Sequence, residues 1–214
     1  MKITGITRDK HVRERFHVKV DGREPFPVSA QTIVKYGLSA GAEFEEERFG
    51  ALLKDDENSR AMDASLNLLS FSQRSRKELS ERLRQKGFSQ AAIDHALARL
   101  TELKYIDDAV FARNLLNLRR SQGKGTELIR FELKRKGIAG EVINAALSEN
   151  TLAPQEEAEA ILPLARKKLA QMRALPDETA ARRLLGFLAR RGFSPDTSRA
   201  VLRLLKKKPV EDES

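Results

Sequence analysis

Three stretches of this chain end a helix in the same way, and they constrain the fold more than any other feature. Around Gly87 the chain reads Ser75-Arg-Lys-Glu-Leu-Ser-Glu-Arg-Leu-Arg-Gln-Lys-Gly-Phe-Ser89. Around Gly137 it reads Phe131-Glu-Leu-Lys-Arg-Lys-Gly-Ile138, and around Gly192 Phe187-Leu-Ala-Arg-Arg-Gly-Phe193. Each copy has Leu four residues before the glycine (Leu83, Leu133, Leu188), a cation just before it (Lys86, Lys136, Arg191) and a large apolar residue just after it (Phe88, Ile138, Phe193). A glycine one residue past a helix supplies the left-handed backbone that a Cβ disfavours by about 1–2 kcal/mol. The Leu and the Phe or Ile then occupy the two positions whose side chains meet in a Schellman helix stop. The cation sits against the negative helix end, worth roughly 0.3–1 kcal/mol. Three copies of one four-part signature, about 50 residues apart, define an internal repeat.

Around each stop the spacing predicts three helices. In the first copy a helix near 59–71 offers Ala64, Leu68 and Phe71 to one face. A second opens at the capping box Ser75-x-x-Glu78 and buries Leu79 and Leu83. A third, capped by Ser89, carries Ile93, Ala96, Leu97 and Leu100 at helical spacing. An offset of 50 reproduces this with Ile129, Leu133, Ile143, Ala146 and Leu147. An offset of 55 reproduces it less well with Leu184, Leu188, Val201 and Leu202, because Ser198 falls where the other copies have Ile. Pro163 is expected to kink or break the long helix over about 155–173. Residues 1–28 read as strands, with Ile3 and Ile6 in the first and Phe16-His-Val-Lys-Val20 alternating up to an Asp21-Gly22 turn. Pro25 and Pro27 confine a third strand to an edge. A short helix follows, capped by Ser29 and stopped by Gly37. The acids Glu43–Glu47 lead into a helical Leu52-Leu53, and Asp55-Asp-Glu-Asn58 is expected to punctuate before the helical array.

The expected organisation is therefore mainly α: a small β-hairpin and helix module over 1–58, then three-helix, helix-turn-helix-like repeats over 59–104, 105–150 and 151–208, and a disordered tail over 209–214. A single repeat has only some six to eight core side chains and is marginal alone. The repeats are expected to stack into an elongated, curved array.

Charge is unevenly spread. Residues 1–60 hold 11 basic and 11 acidic side chains, whereas 61–214 hold 29 and 20 and carry the whole formal charge of +9. This suits an acidic partner, nucleic acid or protein, and equally suits cations that merely solvate helix faces. With no cysteine in the chain, disulfides and thiolate metal sites are excluded. No leader-like or membrane-spanning apolar run is present, so a soluble, cytoplasmic protein is expected.

Little in the sequence points to catalysis. His11, His17 and His95 have no metal-ligand spacing. Gly123-Lys-Gly-Thr126 only faintly evokes a phosphate loop, because Leu118 stands where the earlier glycine belongs; a flexible interhelix turn is the better reading. Asp107-Asp108 is explained by Asp107 as an N-cap, with Ile106 and Phe111 forming a hydrophobic staple. No nucleophile–base pair is found, and neither enzyme activity, a cofactor nor a metal is expected. Groove reading by the helix after the glycine turn is disfavoured, since 90–102 holds only Arg99, 141–149 no cation, and 196–205 only Arg199 and Arg203. The cations concentrate on the first and second helices instead.

The chain resembles the RecX family, bacterial regulators of the RecA recombinase. The resemblance rests on Tyr105-Ile-Asp-Asp-Ala-Val-Phe-Ala112, Arg119 followed by Gly123, Glu132-Leu133, Lys136-Gly-Ile138 and Phe187-Leu-Ala-Arg-Arg-Gly-Phe193. With Leu79 and Leu83, these residues span about 60–205 in the family's order and spacing. Residues 1–58, with Asp21-Gly22 and Tyr36-Gly-Leu-Ser, look like the N-terminal extension of longer members. Tyr105, Ile106, Asp107, Asp108 and Phe111 join the glycine-stop residues as the structural signature of the repeat.

The resemblance implies a non-catalytic protein that binds RecA, docks in the groove of its filament on DNA, and limits strand exchange, ATPase and coprotease activity. DNA repair, DNA recombination and the SOS response would be its setting. Arg119, Arg120, Lys124, Arg130, Lys134 and Arg135 of the middle repeat are the candidate contacts to RecA. Arg74, Arg76, Lys77, Arg82 and Arg84 are candidates for weak, non-specific contact with the DNA backbone. A monomer is expected. The alternative is a direct DNA-binding repressor, which would bind its operator in the presence of competitor DNA.

Overall fold

The computed structural model describes residues 1–10, 15–149 and 151–206. His11 and the tail expected over 209–214 lie outside them. The chain divides into two units, Met1–Ile106 and Asp107–Ser214, each with its own packing.

The first unit opens with strands β1 (Ile3–Arg8), β2 (Arg15–Val20) and β3 (Arg23–Ser29), antiparallel and in that order, so β3 and its two prolines form an edge. The register pairs Ile3 with Val20 and Val18 with Phe26. Period-two alternation sends Val18 and Val20 to one face, where they join Ile3, Val28, Leu38, Phe44 and Leu52 in a small core. Helix α1 (Ala30–Tyr36) is capped by Ser29, whose side chain accepts from the Thr32 N–H, and stops at Gly37 with φ 60°.

Helix α2 (Phe49–Phe71) departs from expectation. It runs unbroken for 23 residues through Asp55–Asn58, where punctuation was expected. Asp and Asn usually weaken helices because their side chains compete for nearby backbone groups. Here the three acids are held from the side. Asp55 accepts from Lys35 Nζ at 2.6 Å and Tyr36 Oη at 2.8 Å. Asp56, 3% exposed, accepts from the Ser29 N–H at 2.6 Å and Thr32 Oγ1 at 2.9 Å. Glu57 accepts from both the backbone N–H and the hydroxyl of Ser89. Hydrogen bonds from Lys35 and Tyr36 hold the Asp55 carboxyl below its ordinary range, and those from Ser89 do the same for Glu57. Asp55 in turn raises the pKa of Lys35 and of Tyr36. One helix thus ties the sheet module to the first repeat.

That repeat is completed by α3 (Arg76–Gln85), with its capping box, and α4 (Gln90–Glu102), capped by Ser89. Leu79, Leu83, Ile93, Leu97, Leu100 and Ile106 form its core. Ala61 of α2 meets Ala92 and Ala96 of α4, small side chains that let the helices approach closely. Phe71, expected on the core face, is instead 80% exposed at the very end of α2; Ala64 and Leu68 are half-buried against the core.

The second unit holds α5 (Asp108–Ser121), α6 (Thr126–Arg135) and α7 (Gly140–Ser148), then α8 (Pro154–Ala170), α9 (Asp177–Arg190) and α10 (Pro195–Lys206). Asp107 caps α5 by accepting from the Ala109 and Val110 N–H groups. Ile106 is buried in the core that Leu79, Leu83, Ile93, Leu97 and Leu100 form, and Phe111 in the core of the second repeat. Helix α8 runs through Pro163 without the expected break. Ser198 is buried at 4% exposure among Leu184, Leu188, Phe193, Ala200 and Val201, so the third repeat has a core despite the polar replacement.

All three glycine stops form as the sequence predicts. Phe88, Ile138 and Phe193 donate their N–H to Leu83, Leu133 and Leu188, while the glycines donate to Arg84, Lys134 and Ala189. The glycines sit at φ 86°, 79° and 83°.

Candidate partner-binding site

The candidate contacts of the middle repeat lie on α5, on α6 and in the turn between them, and the fold treats them differently. Arg119 Nε donates to Glu132 Oε2 at 2.6 Å and its Nη1 to Gln122, with the two charged side chains only 29% and 17% exposed. A half-buried pair of this kind fixes α5 against α6. Arg130 donates to Asn144 Oδ1 at 2.6 Å, which orients its guanidinium toward α7. Arg120 is half-buried and lines a cavity of about 330 Å³ together with Arg130. Lys124 is half-buried in the turn, and Lys134 and Arg135 are exposed at the end of α6.

The Gly123–Thr126 turn is not the flexible connection expected. It is the joint between the second and third repeats. Gly125 donates its N–H to the Arg191 carbonyl at 2.8 Å and Glu127 to the Gly192 carbonyl at 3.0 Å, so the start of α6 caps the end of α9. Arg191 Nη1 returns the favour to the carbonyls of Gln122 and Gly123, at 3.0 and 2.9 Å, closing the end of α5. Its guanidinium also stacks 4.9 Å from the Phe187 ring. There is no room for a Cβ on either Gly125 or Gly192 in this joint. A Cβ on Gly125 would stand 2.3 Å from the Gly192 carbonyl oxygen, and one on Gly192 would stand 2.3 Å from the Leu128 nitrogen. Backbone meeting backbone explains the glycines without any phosphate.

Phe131, quoted above only as the start of a repeat copy, is 61% exposed on α6, with Arg130 beside it and Lys134 and Arg135 one turn on. The sequence carried a signal for it. Six residues before their glycines the other copies hold Glu81 and Gly186, so Phe131 puts a large apolar side chain where neither of them has one. An exposed aromatic with lysine and arginine one turn on has a composition enriched at binding surfaces.

The cations of the first unit also have partners within the protein. Arg74 Nε donates to the Leu68 carbonyl, Arg76 to Thr101, Arg82 to Gln85 and Arg84 to Gln90, while Lys77 lies 3.8 Å from Glu81. On the helices after the glycine turns, Arg99 pairs with Glu102 and Arg199 with Asp196. His17 bonds Asp9 at 2.9 Å, and His95 is exposed on α4. Among the described residues no helix is long and apolar enough to cross a membrane.

Comparison with known proteins places these repeats. Models of the first, second and third three-helix domains of RecX match residues 61–100, 107–147 and 155–202. The chain is 33% identical to the regulatory protein RecX of Bacillus licheniformis, over 94% of this chain and 76% of that one. It is 30% identical to the regulatory protein RecX of Bacillus subtilis, over 98% and 79%. A crystal structure of a regulatory protein RecX superposes with a TM-score of 0.70 at 25% identity, covering 94% of this chain and 98% of that one. RecX from Lactobacillus salivarius gives 0.63 at 25% identity, covering 71% and 97%.

Proposed function

The chain belongs to the RecX family of regulatory proteins, and from that premise we propose that it binds RecA and the RecA–DNA filament and restrains recombinase, ATPase and coprotease activity. The observation that carries the choice of surface is the second half of α6, where Phe131 is exposed with Lys134 and Arg135 one turn on. Aromatic and arginine side chains together supply both contact area and charge-assisted hydrogen bonds to an acidic protein surface. Arg120 and Lys124 extend this surface. Arg119 contributes by holding α5 and α6 in register through Glu132. Arg74, Arg76, Lys77, Arg82 and Arg84 supply weak contact to the filament's DNA backbone. The protein acts without catalysis, as a cytoplasmic monomer.

The test is inhibition of RecA ATPase and strand exchange by an Arg130→Glu, Arg135→Glu variant. Reversing two charges at the centre of an interface is expected to raise the half-inhibitory concentration at least about tenfold, or about 1.4 kcal/mol of binding. Unaltered inhibition by a variant with native circular dichroism would remove this surface from the proposal. Pull-down of RecA with and without single-stranded DNA and a nucleoside triphosphate separates filament binding from monomer binding. The repressor alternative requires operator binding that survives competitor DNA, for which Arg99 and Arg199, already paired on α4 and α10, are poorly placed.

A further inference from the structure

The cavity beside α6 has a charge arrangement that the repeat pattern does not require. Arg120 and Arg130 line it, with Thr126, Asn144 and Ser148 supplying polar atoms and Leu147 and Leu152 an apolar wall. The Nε of Arg120 lies out of contact with solvent, so this guanidinium is already partly dehydrated. Neither arginine is a repeat residue. At the offset of 50 their places are taken by Ser70 and Ser80, and at the offset of 55 by Leu175 and Leu185. The middle repeat alone has turned two neutral positions into a pair of guanidiniums around one cavity.

The cavity also contains a carboxylate. Glu157 of α8 lines it, held by Thr197 Oγ1 at 2.7 Å. Two arginines and one glutamate give the described lining a net charge of +1. A single carboxylate entering the cavity would bring that charge to zero, whereas a phosphate dianion would leave it at −1 beside Glu157. Guanidiniums bind carboxylates in a planar, two-pronged geometry, and the two leucines offer a wall to a short methylene stem.

We infer that this cavity is a receptor for one carboxylate side chain, a glutamate or aspartate of a protein partner, held between Arg120 and Arg130 and selected over phosphate by Glu157. The inference rests on the reading that the middle repeat docks on an acidic protein surface, and gives that surface one defined socket.

The socket is tested on the whole chain without any partner, so its fate is separate from that of the RecA proposal. The Arg120 and Arg130 Nε–Hε signals and the Thr126 and Ser148 amides are followed by NMR at fixed ionic strength and pH 7.5. The probes are propionate, propionamide and inorganic phosphate. Propionate is expected to give saturable shifts at all four sites, with propionamide inert and phosphate at least threefold weaker. Arg130→Gln is expected to weaken propionate at least fivefold, and Glu157→Gln to bring phosphate level with it. Absence of saturable shifts with propionate overturns the socket, as does an equal response to propionamide. Phosphate binding as tightly as propionate to the unaltered chain overturns the selection. If Arg130→Gln fails to fold, the three-probe comparison on the unaltered chain decides alone. A socket that binds propionate in a protein that does not bind RecA would leave the inference standing and remove the RecA reading.

Discussion

Each unit contains one joint between subdomains, and the two joints are built from opposite materials. In the first unit α2 reaches sideways with charged side chains: Asp55 and Asp56 hold α1 and its cap, and Glu57 holds the start of α4. In the second unit the repeats meet backbone to backbone, with Gly125 and Glu127 donating to Arg191 and Gly192 across a gap with no space for a Cβ. A side-chain joint tolerates small shifts and depends on ionisation. The glycine joint depends on space and on the hydrogen bonds of its backbone and of Arg191, with no carboxylate among them.

Substituting the glycines sharpens this contrast most. Gly87 and Gly192 share the same helix stop and the same positive φ, but a Cβ on Gly87 meets nothing within 4 Å. Gly192→Ala must therefore bear the left-handed backbone penalty plus overpacking against Leu128, together about 2–5 kcal/mol. Amide hydrogen exchange in α6 and α9 should accelerate together, since both helices meet at the joint. Gly87→Ala is expected to cost only about 1–2 kcal/mol, from the backbone term. Equal costs at the two positions would mean that the close approach at Gly192 is absent in solution.

The polar joint gives the next largest effect. Asp56→Ala leaves the Ser29 N–H and the Thr32 hydroxyl without their buried acceptor, at a cost of about 2–3 kcal/mol in chemical denaturation. Asp56→Asn, which keeps one acceptor oxygen, should recover part of this. A surface-like loss below about 0.5 kcal/mol would show that the Asp56 bonds do not hold the sheet module to α2.

Acid gives the smallest effect, and it separates the joints most cleanly. Asp55 and Glu57 are held below their ordinary range, so their contribution is present above the carboxylate range and lost as pH falls through their lowered pKa values. Lys35 is shifted up by Asp55, so its part is complete below its ordinary value of 10.5 and lost as pH climbs past the raised one. An Asp55→Asn, Glu57→Gln variant should have a lower Tm than the parent at pH 6, and the two should converge as pH approaches 3. A Tm difference independent of pH would assign these side chains a packing role only. Gly192→Ala, by comparison, should show the same deficit at both pH values.

Local chemistry was legible in the sequence wherever a residue's role is settled within its own turn of chain. The capping boxes and Asp and Ser caps, the edge prolines of β3, and the Leu, Gly and Phe or Ile of the helix stops all act over six residues or fewer. Reading them needed no knowledge of neighbours. The errors fall where distant groups intervene. Asp55–Asn58 look like a break until Lys35, Tyr36, Ser29 and Ser89 are brought alongside. Phe71 fits the helical period of the core, yet as the last residue of α2 it projects past the packed face. At the candidate site the sequence singled out cations on α5, on α6 and in the turn between them, but not the division of labour among them. Nothing in the order of residues distinguishes Arg119, tied to Glu132, from Arg120 and Arg130, gathered around a cavity.

The sequence by itself determined that the chain repeats a three-helix unit, because helix termination is local physics and the same four residues recur at each stop. It also determined which helices carry the cations. The tertiary structure alone decided that Gly125 and Gly192 face each other, that three consecutive acids serve as side-chain clamps, and that two arginines share a cavity with Glu157. Each of those facts depends on the spatial meeting of residues 19 to 69 positions apart, which the contacts of folded helices set and the linear pattern does not record.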